Sequence, residues 1–98
     1  MNCNNRVIVN FLNQAKSDLR LRPTHISLFT ACFCLLVTEG ADNKVKITRK
    51  KLMVLAKIGS ISTYHKCMNE LAIFNYIIYK PYDYYTGSSV TFLCKSGL

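Results

Sequence analysis

The sequence predicts an α+β fold of the winged helix-turn-helix class, with three core helices, an additional N-terminal helix and a small antiparallel sheet. Between Ile47 and Leu93 the chain reads as a short strand, a basic helix, a small-residue turn, a polar-faced helix and an aromatic hairpin. Domains of this class place the second helix of the motif in the major groove of DNA. The order of elements therefore predicts duplex DNA as the partner.

Length and composition predict a single domain. The chain has 98 residues, half of them apolar, and its sequence contains no repeat or low-complexity stretch. A chain of this length buries one modest core. We expect residues 1–21 to form the N-terminal helix and residues 23–93 to form the winged-helix core.

Two helices are predicted upstream of the motif. The first begins near Asn4 or Asn5, and its apolar stripe comprises Val7, Ile8, Phe11, Leu12, Ala15 and Leu19. This amphipathic helix is expected to pack onto the core or onto a second copy of the chain, and it lacks the pattern of a secretory signal.

The second helix opens at Pro23 with Thr24 as its cap. It is apolar around most of its circumference, through Ile26, Leu28, Phe29, Phe33, Leu35, Leu36 and Val37. It is predicted to be the central buried helix, and it is shorter than the ~20 residues of a membrane span.

The motif itself consists of two short helices around the turn Ile58-Gly59-Ser60. In the first, Thr48 is the candidate cap, and the apolar stripe is Leu52, Leu55 and Ala56. In the second, Ser60 or Ser62 is the candidate cap, and the apolar stripe is Tyr64, Cys67, Met68, Leu71 and Phe74. Apolar residues at spacings of three and four predict helices that bury one face against a neighbour.

The opposite face of the second motif helix is short-chained and polar: Ser62, Thr63, His65, Lys66, Asn69 and Glu70. Side chains that both donate and accept hydrogen bonds suit base edges in the major groove. We therefore predict that bases are read by Ser62, Thr63, His65, Lys66 and Asn69. The alternative is an ordinary helical hairpin whose polar face is only solvated.

The charge distribution favours a polyanionic partner. The net charge is +8, and residues 44–98 carry nine Lys and Arg against two acids, whereas residues 1–43 carry four against three. Repulsion within a basic cluster destabilises a fold, so a bound polyanion explains its presence. The cations predicted to contact the DNA backbone lie on or just after the first motif helix: Arg49, Lys50, Lys51 and Lys57.

An aromatic hairpin after the second motif helix is predicted to form the wing. Asn75 lies where the helix must stop, and Asn tolerates the left-handed conformation that such a stop uses. Residues 76–79 read as a strand that Pro81 ends or marks as an edge, and residues 88–93 return with Val90 and Phe92 on one face. Residues 44–47 are expected to complete a three-stranded sheet. The wing residues predicted to contact DNA are Lys80, Tyr82, Tyr84, Tyr85, Thr86 and Ser88; the alternative is that the tyrosines pack on one another.

The sequence contains little evidence for metal binding or for catalysis. The five cysteines, Cys3, Cys32, Cys34, Cys67 and Cys94, form no CxxC pair, and we interpret them as small buried hydrophobes in a reducing cytosol. A zinc site that combines His65, Cys67 and another cysteine is the alternative. The five carboxylates are scattered, His25 and His65 lie on separate helices, and Tyr64 falls on the apolar stripe. We therefore expect a protein that is not an enzyme and uses no cofactor, metal or small-molecule substrate.

Several peptides resemble small winged-helix proteins encoded on Bacteroidetes mobile elements. They are LRPTHISLF (residues 21–29), KIGS (57–60), TYHKC (63–67), EL (70–71) and NYI (75–77). The resemblance covers about residues 19–93 and implies DNA contacts from the polar face of the second motif helix and from the wing. Some members act as excisionases or as regulators of element transfer. They usually have Gly where this chain has Asn75, which implies a slightly different helix exit.

The most concrete role that follows is architectural: an excisionase, or recombination directionality factor, that binds beside a recombination site and bends it for an integrase. The expected partners are duplex DNA and either a recombinase or another copy of the chain, in the nucleoid-containing cytoplasm of a bacterium. Regulation of a nearby operon is the alternative within the same class. An RNA- or ribosome-binding module and a winged helix that contacts only an acidic protein are alternatives from other classes.

Overall fold

Four helices and a three-stranded antiparallel sheet make up the described part of the chain. The computed structural model describes residues 3–41, 43–81 and 87–93. The helices are α1 (Cys3–Ala15), α2 (Pro23–Thr38), α3 (Arg49–Ala56) and α4 (Ile61–Ile73), and the strands are β1 (Lys44–Ile47), β2 (Ile77–Lys80) and β3 (Ser88–Phe92). The α+β class and the predicted order of elements are confirmed. Within these ranges no helix has the length and apolar character that crossing a bilayer requires.

Helices α3 and α4 begin at side-chain caps that the sequence predicts. The Thr48 hydroxyl accepts a hydrogen bond from the Lys51 amide at 3.3 Å, and the Ser60 hydroxyl accepts one from the Thr63 amide at 3.3 Å. Each bond satisfies an amide that has no partner inside the first turn of its helix. Of the two serines considered for α4, Ser60 is the cap.

Each motif helix is followed by a residue in the left-handed backbone region. Asn75 follows α4 with a φ of 68°, as predicted, and Lys57 follows α3 with a φ of 61°. In each case the amide of the next residue donates to the carbonyl five residues earlier, at 3.0 Å, which satisfies a carbonyl of the last turn. The left-handed lysine was not expected, because a Cβ disfavours this conformation.

Helix α2 begins at Pro23, as predicted, but its cap lies two residues earlier than predicted. Its N-cap is Arg22, Pro23 occupies the first helical position, and the predicted cap Thr24 lies within the first turn. Proline suits the first position because its φ is already helical and its missing amide would have no partner there. The His25 imidazole completes this helix start, because its Nδ1 accepts a hydrogen bond from the Arg22 amide at 2.9 Å.

Helix α1 ends earlier than predicted, and a polar cluster holds the loop that follows it. The helix stops at Ala15, so Leu19 is 97% exposed, and its assignment to the buried stripe is wrong. Asp18 accepts hydrogen bonds from the Arg20 guanidinium at 2.9 Å and from the Tyr76 hydroxyl at 2.6 Å. Asp favours such local bonds over helix continuation, and here they attach the loop to the residue before β2.

Aromatic rings join α1, α2 and the sheet in one core. Phe11 of α1 stacks on Phe29 of α2 with ring centroids 3.7 Å apart, and it meets Tyr76 edge-on at 5.2 Å. Phe29 also meets Phe92 of β3 edge-on at 5.1 Å. Helix α2 contacts α1, α3, α4 and β1, so its central position is confirmed. Of the two predicted positions for the N-terminal helix, the one against the core of its own chain is observed.

The sheet has the strand order β1-β3-β2, with both pairs antiparallel. One face is buried and consists of Val45, Ile47, Ile77, Val90 and Phe92. This confirms that residues 44–47 pair with the hairpin and that Val90 and Phe92 share a face. Strand β2 lies at an edge of the sheet and ends at Lys80, directly before Pro81, as predicted.

Three residues that the sequence assigns to core-facing positions are about half exposed: Leu12, Val37 and Leu55. In α3 the reason is geometric. This two-turn helix packs through Leu52 and Ala56, which are one turn apart, and Leu55 lies on the flank of that contact. Val54 lies on its outer side and is 69% exposed. The outward face of α3 is therefore apolar at its centre.

Candidate nucleic-acid interface

The outer face of α4 is a straight row of side chains. Positions separated by four, seven and eleven residues lie within about 60° of one another around a helix with 3.6 residues per turn. Ser62, Lys66, Asn69 and Ile73 are related in this way and are all exposed, with exposed His65 beside them. Four of the five predicted base-reading residues thus share one surface, and Ile73, which the sequence analysis did not include, extends the row.

Thr63 and Glu70 lie on a different flank of α4, which faces α2. Glu70 Oε1 is 2.8 Å from Nε2 of His25, so its place on the exposed polar face is wrong. Thr63 is half-buried and lies about 160° around the helix from His65. Because of this angle, Thr63 and His65 cannot contact neighbouring base edges together.

Local contacts orient the residues of the first turn of α4. The Ser62 hydroxyl is 3.0 Å from the Ser60 hydroxyl, and the His65 ring meets the Tyr64 ring edge-on at 5.2 Å. Tyr64 itself is buried, and burial raises the pKa of its hydroxyl, which disfavours a nucleophilic phenolate. In the described part of the chain, no hydrogen bond engages the side chain of Lys66 or Asn69, so both are available to a partner.

The basic residues of α3 divide between two shallow depressions. The first lies between α3 and the start of α4, and its basic residues are Arg49, Lys50 and Lys57. The second lies on the other side of α3 and is lined by Thr48, Lys50, Lys51, Val54 and Leu55. Three of the four predicted backbone-contact residues therefore border the first turn of α4, whereas Lys51 lies on the side away from it.

The acids of the described residues leave these cations unpaired. The carboxylate of Asp18 pairs with Arg20, and that of Glu70 accepts a hydrogen bond from Nε2 of His25. The remaining described acid, Glu39, is the C-cap of α2. The surface formed by α3 and the outer row of α4 is therefore positive and open to an anionic partner.

The described residues of the predicted wing are Lys80, which is exposed, and Ser88, which is half-buried. Ser88 pairs with buried Ile47, so it lies on the core face of the sheet rather than on the outside. The other predicted wing residues, Tyr82, Tyr84, Tyr85 and Thr86, lie outside the described residues.

Sequence reasoning missed Lys46 and Ser89, which lie in one cross-strand row with Lys80. The register pairs Ser89 with Lys46 of β1 on one side and with Lys80 of β2 on the other. Ser89 can be identified as an outward-facing residue because successive side chains of a strand point to opposite faces of the sheet. If Val90 faces the core, residues 89 and 91 face outward, and residue 88 does not.

Three potential metal ligands converge at His25, Cys67 and Glu70, whose ligand atoms lie within 4.8 Å of one another. The hydrogen bonds oppose coordination. A backbone amide can only donate, so Nδ1 of His25 is the acceptor for Arg22, and Nε2 carries the proton that it donates to Glu70. Metal binding at Nε2 would require that proton to leave and would break the helix cap or the hydrogen bond to Glu70. The alternative zinc site is not formed, because Cys67 is buried and His65 is exposed on the other face of α4.

The described cysteines are free thiols in two different environments. Cys32 and Cys67 are buried, and burial raises the pKa of the Cys32 thiol to about 12. Cys34 is exposed, so its interpretation as a buried hydrophobe is wrong. The side chain of Cys3 and the whole of Cys94 lie outside the described residues.

Comparison of the chain with models of protein families, with characterised proteins and with solved structures gives no match in any of the three. The functional conclusion therefore depends on the residues and geometry of this chain.

Proposed function

We propose that the protein is a winged helix-turn-helix that binds duplex DNA sequence-specifically and is not an enzyme. The observation that carries this proposal is the exposed row on α4, which lies next to cations that have no acidic partner among the described residues. The row supplies groups that donate and accept hydrogen bonds, and a major groove about 12 Å wide admits one helix. The cations supply phosphate contacts that fix position and orientation on the duplex.

Each element has a distinct task in this complex. Asn69 presents a donor and an acceptor together to an adenine edge, and Lys66 reaches guanine or a phosphate. Arg49, Lys50 and Lys57 bind phosphates beside the groove, because they border the depression that leads to the first turn of α4. The β2–β3 hairpin acts as the wing, with Lys80 at the described end of β2 as its phosphate contact.

The most concrete biological role is that of an excisionase or regulator of a mobile element, which binds beside a recombination site and bends it for an integrase. A single small domain with unpaired surface cations suits an architectural role, since DNA bending is stabilised by the additional contacts that the bend permits. The resemblance of its peptides to winged-helix proteins of Bacteroidetes mobile elements supports the same role. Regulation of a nearby operon uses the same DNA contacts, and a footprint on the DNA flanking its gene distinguishes the two by position.

Competition binding tests the class of partner. A labelled duplex from the flanking DNA is bound by the protein and displaced by unlabelled duplex DNA or by structured RNA at equal salt. We expect duplex DNA to displace the label at the lower concentration. Stronger displacement by RNA would replace this proposal with an RNA-binding module, and no binding to either at low salt would refute both.

A second candidate function is contact with an acidic protein, and the outward face of α3 favours it. Exposed Val54 and Leu55 lie beside Lys50 and Lys51, so this face combines apolar area with positive charge. An acidic amphipathic segment complements both features. The Val54→Ser variant distinguishes the functions, because it removes apolar area without adding a charge beside Lys50 and Lys57. It should weaken such protein binding and leave the preference for a specific duplex unchanged.

A further inference from the structure

The outer face of the sheet carries a row of two lysines around a serine. Lys46 of β1 and Lys80 of β2 are both directly opposite Ser89 of the central strand β3. Directly opposed residues of antiparallel strands project to the same side of the sheet. Neighbouring strands are about 4.8 Å apart, so the Cα atoms of the two lysines are about 10 Å apart, and the serine lies midway between them.

Ser89 is unusual among the polar residues of this sheet. It is 5% exposed, although its row projects away from the core, and Lys46 and Lys80 on either side are exposed. Within the described residues its hydroxyl has no hydrogen-bond partner. A buried hydroxyl without a partner is destabilising, and a ligand that accepts its hydrogen bond removes that cost.

We propose that Lys46, Ser89 and Lys80 form a seat for one phosphate group of a nucleic-acid backbone. The two ammonium groups neutralise the phosphate from opposite sides, and the Ser89 hydroxyl donates a hydrogen bond from below. Flexible lysine stems move outward to admit the phosphate and keep their charged ends in contact with it.

The position of the seat connects it to the interface on α3 and α4. Lys46 is separated by only two residues from Arg49, the first residue of α3. The seat therefore lies within three residues, along the chain, of the first cation of the α3 surface. This inference rests on the proposed function only in naming duplex DNA as the source of the phosphate. Binding of a phosphate group by the two lysines and the serine does not require that function.

Salt dependence of duplex binding tests the seat. Each phosphate that is no longer neutralised makes the slope of log affinity against log salt less negative by about 0.9. Because both lysines bind one phosphate, Lys46→Ala and Lys80→Ala should each make the slope less negative by under about 0.9. The double variant should make it less negative by about 0.9 in total. If the lysines neutralised two separate phosphates, the slope would become less negative by about 0.9 in each single variant and by about 1.8 in the double variant. That result would overturn the shared seat.

Two further variants complete the experiment. Ser89→Ala removes a neutral donor, so affinity should fall about 3- to 10-fold while the salt slope stays unchanged. Lys44→Ala is the matched control, because Lys44 lies on the same strand and face, opposite Thr91 instead of Ser89. Its slope should equal that of the unchanged protein, and an effect equal to that of Lys46→Ala would show only a diffuse positive surface.

Titration with inorganic phosphate separates failure of the seat from failure of the proposed function. The backbone amide resonance of Ser89 should shift with phosphate concentration in the unchanged protein and not in the Lys46→Ala/Lys80→Ala double variant. If duplex DNA does not bind at all but these shifts occur, the proposed function fails and the seat is supported. If DNA binds with unchanged slopes in the lysine variants and phosphate produces no shift, the seat is refuted.

Discussion

At the scale of single residues, Lys57 has a backbone conformation that a lysine rarely adopts. Its backbone lies in the left-handed region, where a Cβ costs about 1 kcal/mol relative to glycine. Its side chain is exposed and forms no ion pair in the described ranges. Strained residues concentrate at functional sites, where function compensates for the strain. A lysine here is consistent with a phosphate contact beside α4.

Lys57→Gly should therefore stabilise the fold and weaken DNA binding. The free energy of unfolding should rise by about 1 kcal/mol, because glycine adopts the same φ without steric cost. Lys57→Ala keeps the Cβ and removes the same charge, so it should weaken DNA binding equally without the gain in stability. Urea unfolding and fluorescence anisotropy measure the two effects. Unchanged DNA affinity in both variants would remove Lys57 from the interface.

The cluster around Asp18 makes stability depend on acid pH. Hydrogen bonds from the Arg20 guanidinium, and then from the Tyr76 hydroxyl, hold the pKa of the Asp18 carboxyl well below its usual range. Burial, followed by the hydrogen bond to Asp18, raises the pKa of Tyr76 to about 12. An unfolded Asp is protonated near pH 4, so the stabilisation is complete above that pH and is lost as the pH falls toward the lower folded pKa.

We expect the melting temperature to fall between about pH 4 and pH 2, and to fall less steeply in Asp18→Asn. The amide keeps the size of the side chain but has no charge to lose. Glu39→Gln is the control, since Glu39 is an exposed carboxylate at the end of α2 without an ion pair among the described residues. It should retain the acid dependence of the unchanged protein. Equal acid dependence in Asp18→Asn and the unchanged protein would show that Asp18 contributes nothing through its charge.

At the scale of elements, α3 and α4 should have separable effects on binding. Lys50→Ala should weaken binding to preferred and random duplexes by similar factors, because phosphate contacts carry no direct sequence information. Asn69→Ala should cost ~1–3 kcal/mol on the preferred site and little on random DNA, because its amide matches an adenine edge. The ratio of the two affinities, measured by anisotropy at one salt concentration, separates the roles.

Two neighbouring residues provide the controls for α4. Thr63→Ala should leave the ratio unchanged, because Thr63 is half-buried on the flank that faces α2. Lys66→Ala should behave like Asn69→Ala if Lys66 reaches guanine and like Lys50→Ala if it reaches only a phosphate. If neither Asn69→Ala nor His65→Ala changes the ratio of specific to random binding, α4 is not the reader.

The caps of α3 and α4, the helix exit at Asn75 and the pairing of β1 with the hairpin could all be predicted from the sequence. They depend on local hydrogen bonds and on the periodicity of apolar residues. The exposure of Leu55, the hydrogen bond of Glu70 with His25 and the lysines opposite Ser89 depend on which elements become neighbours. Periodicity within one helix does not contain that information. Leu19 was misassigned because the bonds that stop α1 involve Tyr76, which is distant in sequence.

At the scale of the whole molecule, the positive charge is concentrated in one part of the chain, whereas both parts supply the core. Residues 1–43 have a net charge of +1 and supply α1 and the central helix α2, whereas residues 44–98 have a net charge of +7. The sheet and α4 contribute one buried face to the common core, and their other faces are polar except for exposed Ile73 and Ile78. Such a division keeps repulsion between cations at the surface, where solvent screens it, and concentrates the field on one side.

This division predicts a strong but limited salt dependence of duplex binding. The cations placed to meet phosphates are Arg49, Lys50, Lys57, Lys80 and Lys46, of which the last two share one phosphate. These cations neutralise ~4 phosphates, and Lys66 neutralises one more if it reaches the backbone, so log affinity should fall with log salt at a slope of about −4. Arg6→Ala and Lys16→Ala are the controls, because both residues are exposed on or just after α1 and should leave the slope unchanged. A slope near zero, or an equal reduction of the slope in these two variants, would show that the basic half of the chain does not direct binding.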